Sequence, residues 1–200
     1  MTAGLLTTSL ISATKPTGPL SGPEVWYVNR GSGFVLLLLL TFSMMMGVLA
    51  TARMSPRLWP RMLSQGLHRN VGLLSFTFLA THVVTAVLDT YVDIKWWYAF
   101  VPFQGTYEPL WLGLGTLSLD LMIAVTLTSL LRHRMSHRPW RVIHITSYGA
   151  WGMGIIHGLQ LGTDASSVWG QAISYGCIAA VSVTVLARVG LLTRPKLVTT

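Results

Sequence analysis

Charged side chains are scarce in this sequence: they make up 10% of its 200 residues, whereas hydrophobic residues make up 52%. A soluble domain typically carries about 25% charged residues, because polar groups have to cover its surface. Several apolar stretches reach about 20 residues, which is the length that crosses the hydrocarbon core of a bilayer. The composition therefore indicates a membrane protein and excludes an ordinary water-soluble domain.

Cysteine is almost absent, and Cys177 is the single example. One thiol can form no disulfide within the chain, and it cannot supply the ligands of a zinc or iron–sulfur cluster. The Cys-x-x-Cys-His signature is also missing, so a haem in this chain would be held without thioether bonds. We interpret Cys177 as a packing residue in an apolar stretch.

Acidic residues are few, with 6 Asp+Glu against 14 Lys+Arg and a net charge of +8. A basic chain can bind nucleic acid, but here most cations fall into three clusters with apolar stretches between them. The clusters are Arg53, Arg57, Arg61 and Arg69; Arg132, Arg134, Arg138 and Arg141; and Arg188, Arg194 and Lys196. This alternation is typical of the positive-inside rule. It predicts contact with a lipid bilayer and no nucleic-acid partner.

The apolar stretches predict an all-α, polytopic membrane bundle of five transmembrane helices. Their predicted ranges are Gly33–Ala52, Gly66–Leu88, Pro109–Leu131, Pro139–Leu161 and Val168–Leu192. Basic clusters follow the first, third and fifth helices, which predicts an N-terminus outside the membrane and a cytoplasmic C-terminus. Residues 1–30 would be a polar extracytoplasmic lead-in, residues 31–193 the membrane domain, and residues 194–200 a basic tail. No helix resembles another closely enough to indicate a sequence repeat.

Four histidines lie on two of the predicted helices: His68 and His82 on the second, His144 and His157 on the fourth. Their separations of 14 and 13 residues correspond to about 21 Å and 19.5 Å of helix. Both helices begin at a basic cluster and so run in the same direction. We therefore expect an inner pair, His68/His144, and an outer pair, His82/His157, at different depths.

Histidine within a membrane span is expensive, so it marks a functional site by default. Neutral imidazole is a common ligand of haem iron, and imidazoles on both faces leave the iron no open coordination position. Such a haem is suited to outer-sphere electron transfer. The two pairs therefore predict two bis-histidine haems of the b type, with the four histidines as iron ligands.

The 13-residue separation on the fourth helix is the weak point of this prediction. At 100° per residue, His144 and His157 would point about 140° apart, whereas His68 and His82 would differ by only about 40°. Glycines at 149, 152, 154 and 158 would permit a bend, a local rewinding or a different approach to each haem. The sequence leaves all three open.

Three charged residues in the predicted membrane domain, Arg69, Arg141 and Asp120, each have more than one interpretation. Arg69 and Arg141 stand next to the inner ligands, where they would bind either haem propionates or lipid headgroups. Asp120 falls near the middle of the third helix, where a carboxylate costs about 2.5–3.5 kcal/mol on insertion. We therefore expect Asp120 to face the bundle and to have a partner, either as a proton relay or haem-tuning group or as a bond between helices.

The residues around the four histidines resemble a known family. The segment HRNVG beginning at His68, with His82 after it, and the segment WRVIH ending at His144, with His157-Gly158 after it, are similar to the two ligand helices of the ferric-reductase-like transmembrane domain. That family includes NADPH oxidases, ferric reductases and the haem membrane subunit of bacterial methionine sulfoxide repair. The resemblance implies two b-type haems and electron transfer across the membrane.

No Gly-rich nucleotide-binding fingerprint occurs in these 200 residues, so a flavin or nicotinamide domain is not expected within them. The resemblance then implies a stand-alone bacterial form, multi-pass in the cytoplasmic membrane. It would take electrons from a separate flavoprotein or a quinol and pass them to an outer acceptor, as an oxidoreductase or an electron-transfer subunit without a catalytic residue of its own. Alternatives are a quinol-handling haem anchor of a larger oxidoreductase, and a non-redox protein that uses its histidines to transport metal or protons.

The choice of ligands can be tested with the two histidines left over, His133 and His137. Both fall in the basic segment before the fourth helix, so His133→Ala and His137→Ala should leave the haem content of the purified protein unchanged. His144→Ala should lower it. If either of the first two variants lost as much haem as His144→Ala, the ligand assignment would be wrong.

Overall fold

The computed structural model describes residues 23–51, 61–89, 92 and 94–192. Predictions that concern residues 1–22, Arg53, Arg57 and the basic tail at 194–200 lie outside the described residues.

Five long helices make up most of the described chain: α1 (Pro23–Thr51), α2 (Arg61–Leu88), α3 (Pro109–Leu130), α4 (His137–Leu161) and α5 (Val168–Leu192). Two short 3-10 helices, Trp96–Ala99 and Arg132–Arg134, lie before and after α3. The described residues contain no β-strand. The predicted all-α class is confirmed.

Four of these helices, α1, α2, α3 and α5, are long and apolar enough to cross a membrane. The prediction of a membrane protein with transmembrane helices is therefore confirmed at this level. Helix α4 has 25 residues, which is long enough for a span, but it is less apolar than the other four. It carries two of the four histidines as well as Arg138 and Arg141, and these residues lower its hydropathy.

Helix α1 begins at Pro23, well before the predicted start at Gly33. Proline suits the first turn of a helix, and Glu24 in that turn interacts favourably with the helix dipole. Two polar residues at the end of the predicted lead-in, Asn29 and Arg30, lie within this helix and have partners elsewhere in the fold. The Asn29 side chain donates a hydrogen bond to the carbonyl of His82 at 2.7 Å.

The helices pack as two antiparallel hairpins, α1 with α2 and α3 with α4, while α5 packs along α1. The two histidine-bearing helices, α2 and α4, are not packed closely against each other. Side chains from all four hairpin helices meet in a buried cluster: Leu36, Leu79, Leu119, Met122 and Ala150. This cluster joins the hairpins and leaves the histidines to face each other across the space between α2 and α4.

Two hydrogen bonds tie α4 to its neighbours at this depth. Ser118 on α3 donates its hydroxyl to the carbonyl of Ala150 at 2.7 Å, and the indole N–H of Trp151 donates to the hydroxyl of Thr41 on α1 at 3.0 Å. Small residues let membrane helices approach closely. Ala150, which is fully buried, occupies such a point of approach.

Ala150→Leu should therefore destabilise the protein. The added side chain has no free volume at this point, and overpacking of this kind costs about 1–3 kcal/mol. We expect a lower thermal unfolding midpoint in detergent. Val142→Leu is the matched control on the same helix, because Val142 is 68% exposed, and its midpoint should stay that of the wild type. Equal midpoints for the two variants would contradict the packing described above.

Candidate functional site: two histidine pairs

The structure places His68 beside His144 and His82 beside His157. The ring centroids are 6.1 Å apart in the inner pair and 6.4 Å apart in the outer pair. A metal ion lies about 2.0–2.1 Å from an imidazole nitrogen, so the centres of two imidazoles on opposite sides of one metal are about 6.4 Å apart. Both pairs therefore have the separation that axial ligation of a single iron requires.

Each ring of the outer pair is held by a backbone carbonyl on the neighbouring helix. The Nδ1–H of His82 donates to the carbonyl of Asn29 at 3.0 Å, and the Nδ1–H of His157 donates to that of Trp111 at 2.9 Å. Because a carbonyl can only accept, each bond fixes the tautomer with its proton on Nδ1. The Nε2 lone pair is then free for a metal, as in most metal-binding histidines.

The inner pair is held differently. Nδ1 of His68 lies 3.1 Å from the carbonyl of Ser43 and 3.2 Å from the hydroxyl of the same residue. Nδ1 of His144 has a hydroxyl neighbour, Ser129 Oγ, at 3.5 Å. The indole of Trp140 stacks on the His144 ring with centroids 4.9 Å apart, and the guanidinium of Arg132 lies 4.4 Å from the centre of the Trp140 ring.

Glycines make room for three of the four rings. A Cβ atom on Gly33 would lie 3.2 Å from the ring of His82, and one on Gly115 would lie 2.5 Å from that of His157. A Cβ on Gly47 would lie 3.7 Å from the ring of His68, which is ordinary van der Waals contact. We call these three residues the ring-contact glycines.

Each ring-contact glycine stands four residues after the residue whose carbonyl accepts the histidine proton. The pairs are Asn29 with Gly33, Ser43 with Gly47, and Trp111 with Gly115. Residues four apart are neighbours on a helix surface, so the missing side chain opens the approach to the carbonyl. Sequence reasoning missed these residues, although Gly33 and Gly47 are spaced by the same 14 residues as His68 and His82.

The two histidines of α4, which are 13 residues apart, have different contacts. The helix runs without interruption from His137 to Leu161, so no break separates its two histidines. Their contacts differ instead: His157 is bonded to a carbonyl, whereas His144 lies against a hydroxyl and an indole. The two rings of α4 therefore have different kinds of contact, which agrees with one of the three possibilities that the sequence left open, a different approach of each ring.

A cavity of about 320 Å³ surrounds the outer pair and extends inward to Trp151. Its volume lies within the range of small-molecule and cofactor sites, and side chains from α1 to α4 line it. At its rim Arg30 forms an ion pair with Asp164, and the guanidinium lies 3.9 Å from the centre of the Trp26 ring. The cavity thus combines an apolar interior with a charged rim.

Not all predicted site residues join these pairs. The side chains of Arg69 and Arg141 are exposed, so a role in binding propionates stays a prediction. Asp120 is only partly buried, and no hydrogen bond or ion pair joins it to another described residue, so the expected partner within the bundle was not found. His133 and His137 are exposed and belong to neither pair, although the ring of His137 lies 5.7 Å from that of Trp140, the residue that stacks on His144.

Within the described parts of the chain, no group of three or more His, Cys, Asp or Glu residues could hold a metal ion. Each histidine pair therefore offers two protein ligands. A metal held there would need its remaining ligands from elsewhere.

Alanine at the ring-contact glycines should disturb the rings in a graded way. On the prediction that the histidine pairs bind haem, Gly115→Ala should displace His157 and lower haem content most, because its Cβ would come closer than such atoms are found. Gly33→Ala should have a smaller effect at His82, and Gly47→Ala should be close to wild type. Haem absorbance per milligram of purified protein measures how much haem each variant has lost. Gly149→Ala, where a Cβ meets open space, is the control, and equal losses in all four variants would contradict the geometry.

Comparison with known proteins places the chain in a family. No curated protein and no solved structure matches it. A protein-family model described as a domain of unknown function, DUF8596, matches residues 24–164. The matched segment contains all four histidines and nearly all of α1–α4, and it ends before α5. The chain belongs to the DUF8596 family.

Proposed function

We propose that this protein is a membrane cytochrome b that carries two bis-histidine haems and transfers electrons across the membrane. One observation carries the proposal: four histidines stand in two pairs, each at the separation that a single axially ligated iron requires. Three of the four rings also have a main-chain carbonyl beside Nδ1, which leaves Nε2 for a metal.

The ligand count favours haem over a bare metal ion. A transported metal ion usually has four or more protein or water ligands, whereas each pair here offers two. A haem supplies the other ligands itself, since its porphyrin nitrogens surround the iron and leave only the two axial positions to the protein. The described residues near each pair add no further His, Cys, Asp or Glu cluster. The non-redox alternative is therefore the weaker one.

The positions of the pairs suit electron transfer between the two faces of the membrane. Along α2 the two histidines are 14 residues apart, which is about 21 Å of helix. Trp151 lies between the two levels on α4, with its indole held by Thr41. When bound, each haem would supply an iron that changes between the ferric and ferrous states. Main-chain carbonyls hold three of the four ligand rings in place.

The likeness of the histidine segments to the ferric-reductase-like transmembrane domain supports the same function. We propose a multi-pass protein of the bacterial cytoplasmic membrane, in which α4 crosses the membrane together with α1, α2, α3 and α5. The N-terminus would lie outside and the C-terminus inside. Arg132, Arg134, Arg138 and Arg141 would then lie on the cytoplasmic side near the inner pair. A separate flavoprotein or a quinol would donate the electrons, and an acceptor outside would receive them from the outer pair.

The second candidate is a quinol-handling haem anchor with electrons flowing inward. The apolar cavity beside His82 and His157 favours this candidate, because the polar groups that line part of it could bind a quinol headgroup. Both candidates place haem on the same histidines. A flavoprotein that co-purifies with the chain would support the first. Because the first candidate also allows a quinol donor, added quinol separates the two by the haem that it reduces first, which is the inner haem in the first candidate and the outer haem in the second.

Protein purified from haem-sufficient cells should show a reduced-minus-oxidised spectrum of low-spin b type, with about two haems per chain. Histidines on both faces of the iron produce this spectrum because they leave no position for a weak ligand. A colourless preparation from such cells would refute the proposal.

Removing single ligands should separate the two haems. His82→Ala or His157→Ala should remove the outer haem and leave the inner one partly occupied, since the pairs share no residue. His68→Ala or His144→Ala should do the reverse. Redox titration of the remaining haem identifies which one is present. If His82→Ala and His68→Ala removed the same haem, the pairing described above would be wrong.

A further inference from the structure

Three of the four rings share one kind of contact, a main-chain carbonyl beside Nδ1 with a glycine four residues further along the helix, and His144 is the exception. On α1 the ring-contact glycines are Gly33 and Gly47, 14 residues apart, and on α3 the residue 14 positions after Gly115 is Ser129. In both hairpins the first helix thus offers two ring positions at the same spacing. Serine occupies the fourth position, where the other three have glycine.

The exception coincides with the one ring that lacks a carbonyl partner. The residue four positions before Ser129 is Val125, the counterpart of Asn29, Ser43 and Trp111. His144 does not reach the carbonyl of Val125. Its Nδ1 lies 3.5 Å from Ser129 Oγ instead, compared with 2.9–3.1 Å to the carbonyls at the other three rings.

The geometry points to Ser129 as a positioning residue that sets the reduction potential of the inner haem through His144, an inference that rests on the proposed function. The side chain of Ser129 stands where a glycine would let the ring reach a backbone carbonyl. It replaces that carbonyl with a hydroxyl, which is a weaker acceptor for the Nδ1 proton.

The acceptor on Nδ1 matters because it changes the basicity of the ligand. A strong acceptor draws the Nδ1 proton away from the ring, which makes Nε2 a better donor and stabilises ferric iron. Reduction potentials of haem proteins respond to such hydrogen bonds as well as to the axial ligand itself. The outer pair has two carbonyl acceptors and the inner pair has one, so these hydrogen bonds contribute unequally to the two reduction potentials.

Three substitutions at Ser129 test this in the full-length, haem-loaded protein. The carbonyl of Val125 accepts a long hydrogen bond from the Thr128 hydroxyl at 3.2 Å, and that hydroxyl also has a shorter bond of 2.7 Å to the carbonyl of Ala124. Ser129→Gly removes the Cβ and lets His144 take the place of the longer bond at Val125, so the inner haem should shift to a lower midpoint potential. Ser129→Ala keeps the Cβ without an acceptor, so the potential should rise. Ser129→Thr keeps the hydroxyl and should restore the wild-type value. The position is one residue before the end of α3 at Leu130, where glycine disturbs a helix least.

Ser43→Ala is the matched control at the other inner ligand. It removes a hydroxyl 3.2 Å from Nδ1 of His68 but leaves the Ser43 carbonyl in place, so the inner potential should change little. Redox titration of each variant resolves the two haems, and the component absent in His144→Ala identifies the inner one. The EPR signal of the low-spin inner haem provides a second readout of the ligand field.

The inference would be supported if the midpoint potential of the inner haem is lowest in Ser129→Gly, higher in the wild type and Ser129→Thr, and highest in Ser129→Ala, while the potential of the outer haem stays unchanged. Loss of the inner haem in Ser129→Ala alone, with Gly and Thr variants intact, would also support it, because only that variant lacks an acceptor. The inference is overturned if all three variants lose the inner haem, if the potential does not follow this order, or if Ser43→Ala shifts it as much. Absence of haem from the wild type would instead refute the proposed function.

Discussion

The hydrogen bond from a histidine Nδ1–H to a main-chain carbonyl is the interaction on which the two-pair arrangement depends. Inside a bilayer, an imidazole without a partner is costly, and an imidazole free to rotate cannot present Nε2 in a defined direction. A helix carbonyl has a second lone pair available after its own i+4 bond. Using that lone pair both satisfies the ring and orients it.

This requirement explains the composition of the helices that carry no histidine. Helices α1 and α3 contribute the carbonyls, and in each case a glycine stands four residues after the residue that contributes one. A Cβ would crowd the ring at Gly33 and Gly115, whereas at Gly47 it would make ordinary contact. The antiparallel hairpins then place each first helix beside a histidine-bearing helix, and the histidines of α2 and α4 face each other. The two hairpins thus repeat a geometric plan that their sequences do not share.

Much of the architecture could be predicted from composition and spacing. The all-α class, the apolar helices and the partners within each histidine pair follow from apolar length, arginine clusters and the 14- and 13-residue separations. The start of α1 could not be predicted, because Asn29 and Arg30 have polar side chains whose partners, His82 and Asp164, lie far away in the chain. Asp120 also differs from expectation, since helical depth says nothing about which side of α3 a residue occupies.

Apolar length and residue spacing are local properties of the chain, so they were enough to predict a helical, apolar protein with two matched sets of histidines. The atoms that hold each ring could be identified only in the folded molecule. Backbone carbonyls have no identity in a sequence, and a glycine that opens one of them looks like any other glycine. The Ser129 hydroxyl reaches His144 and the Trp111 carbonyl reaches His157 because α3 packs against α4, and that packing depends on both helices together.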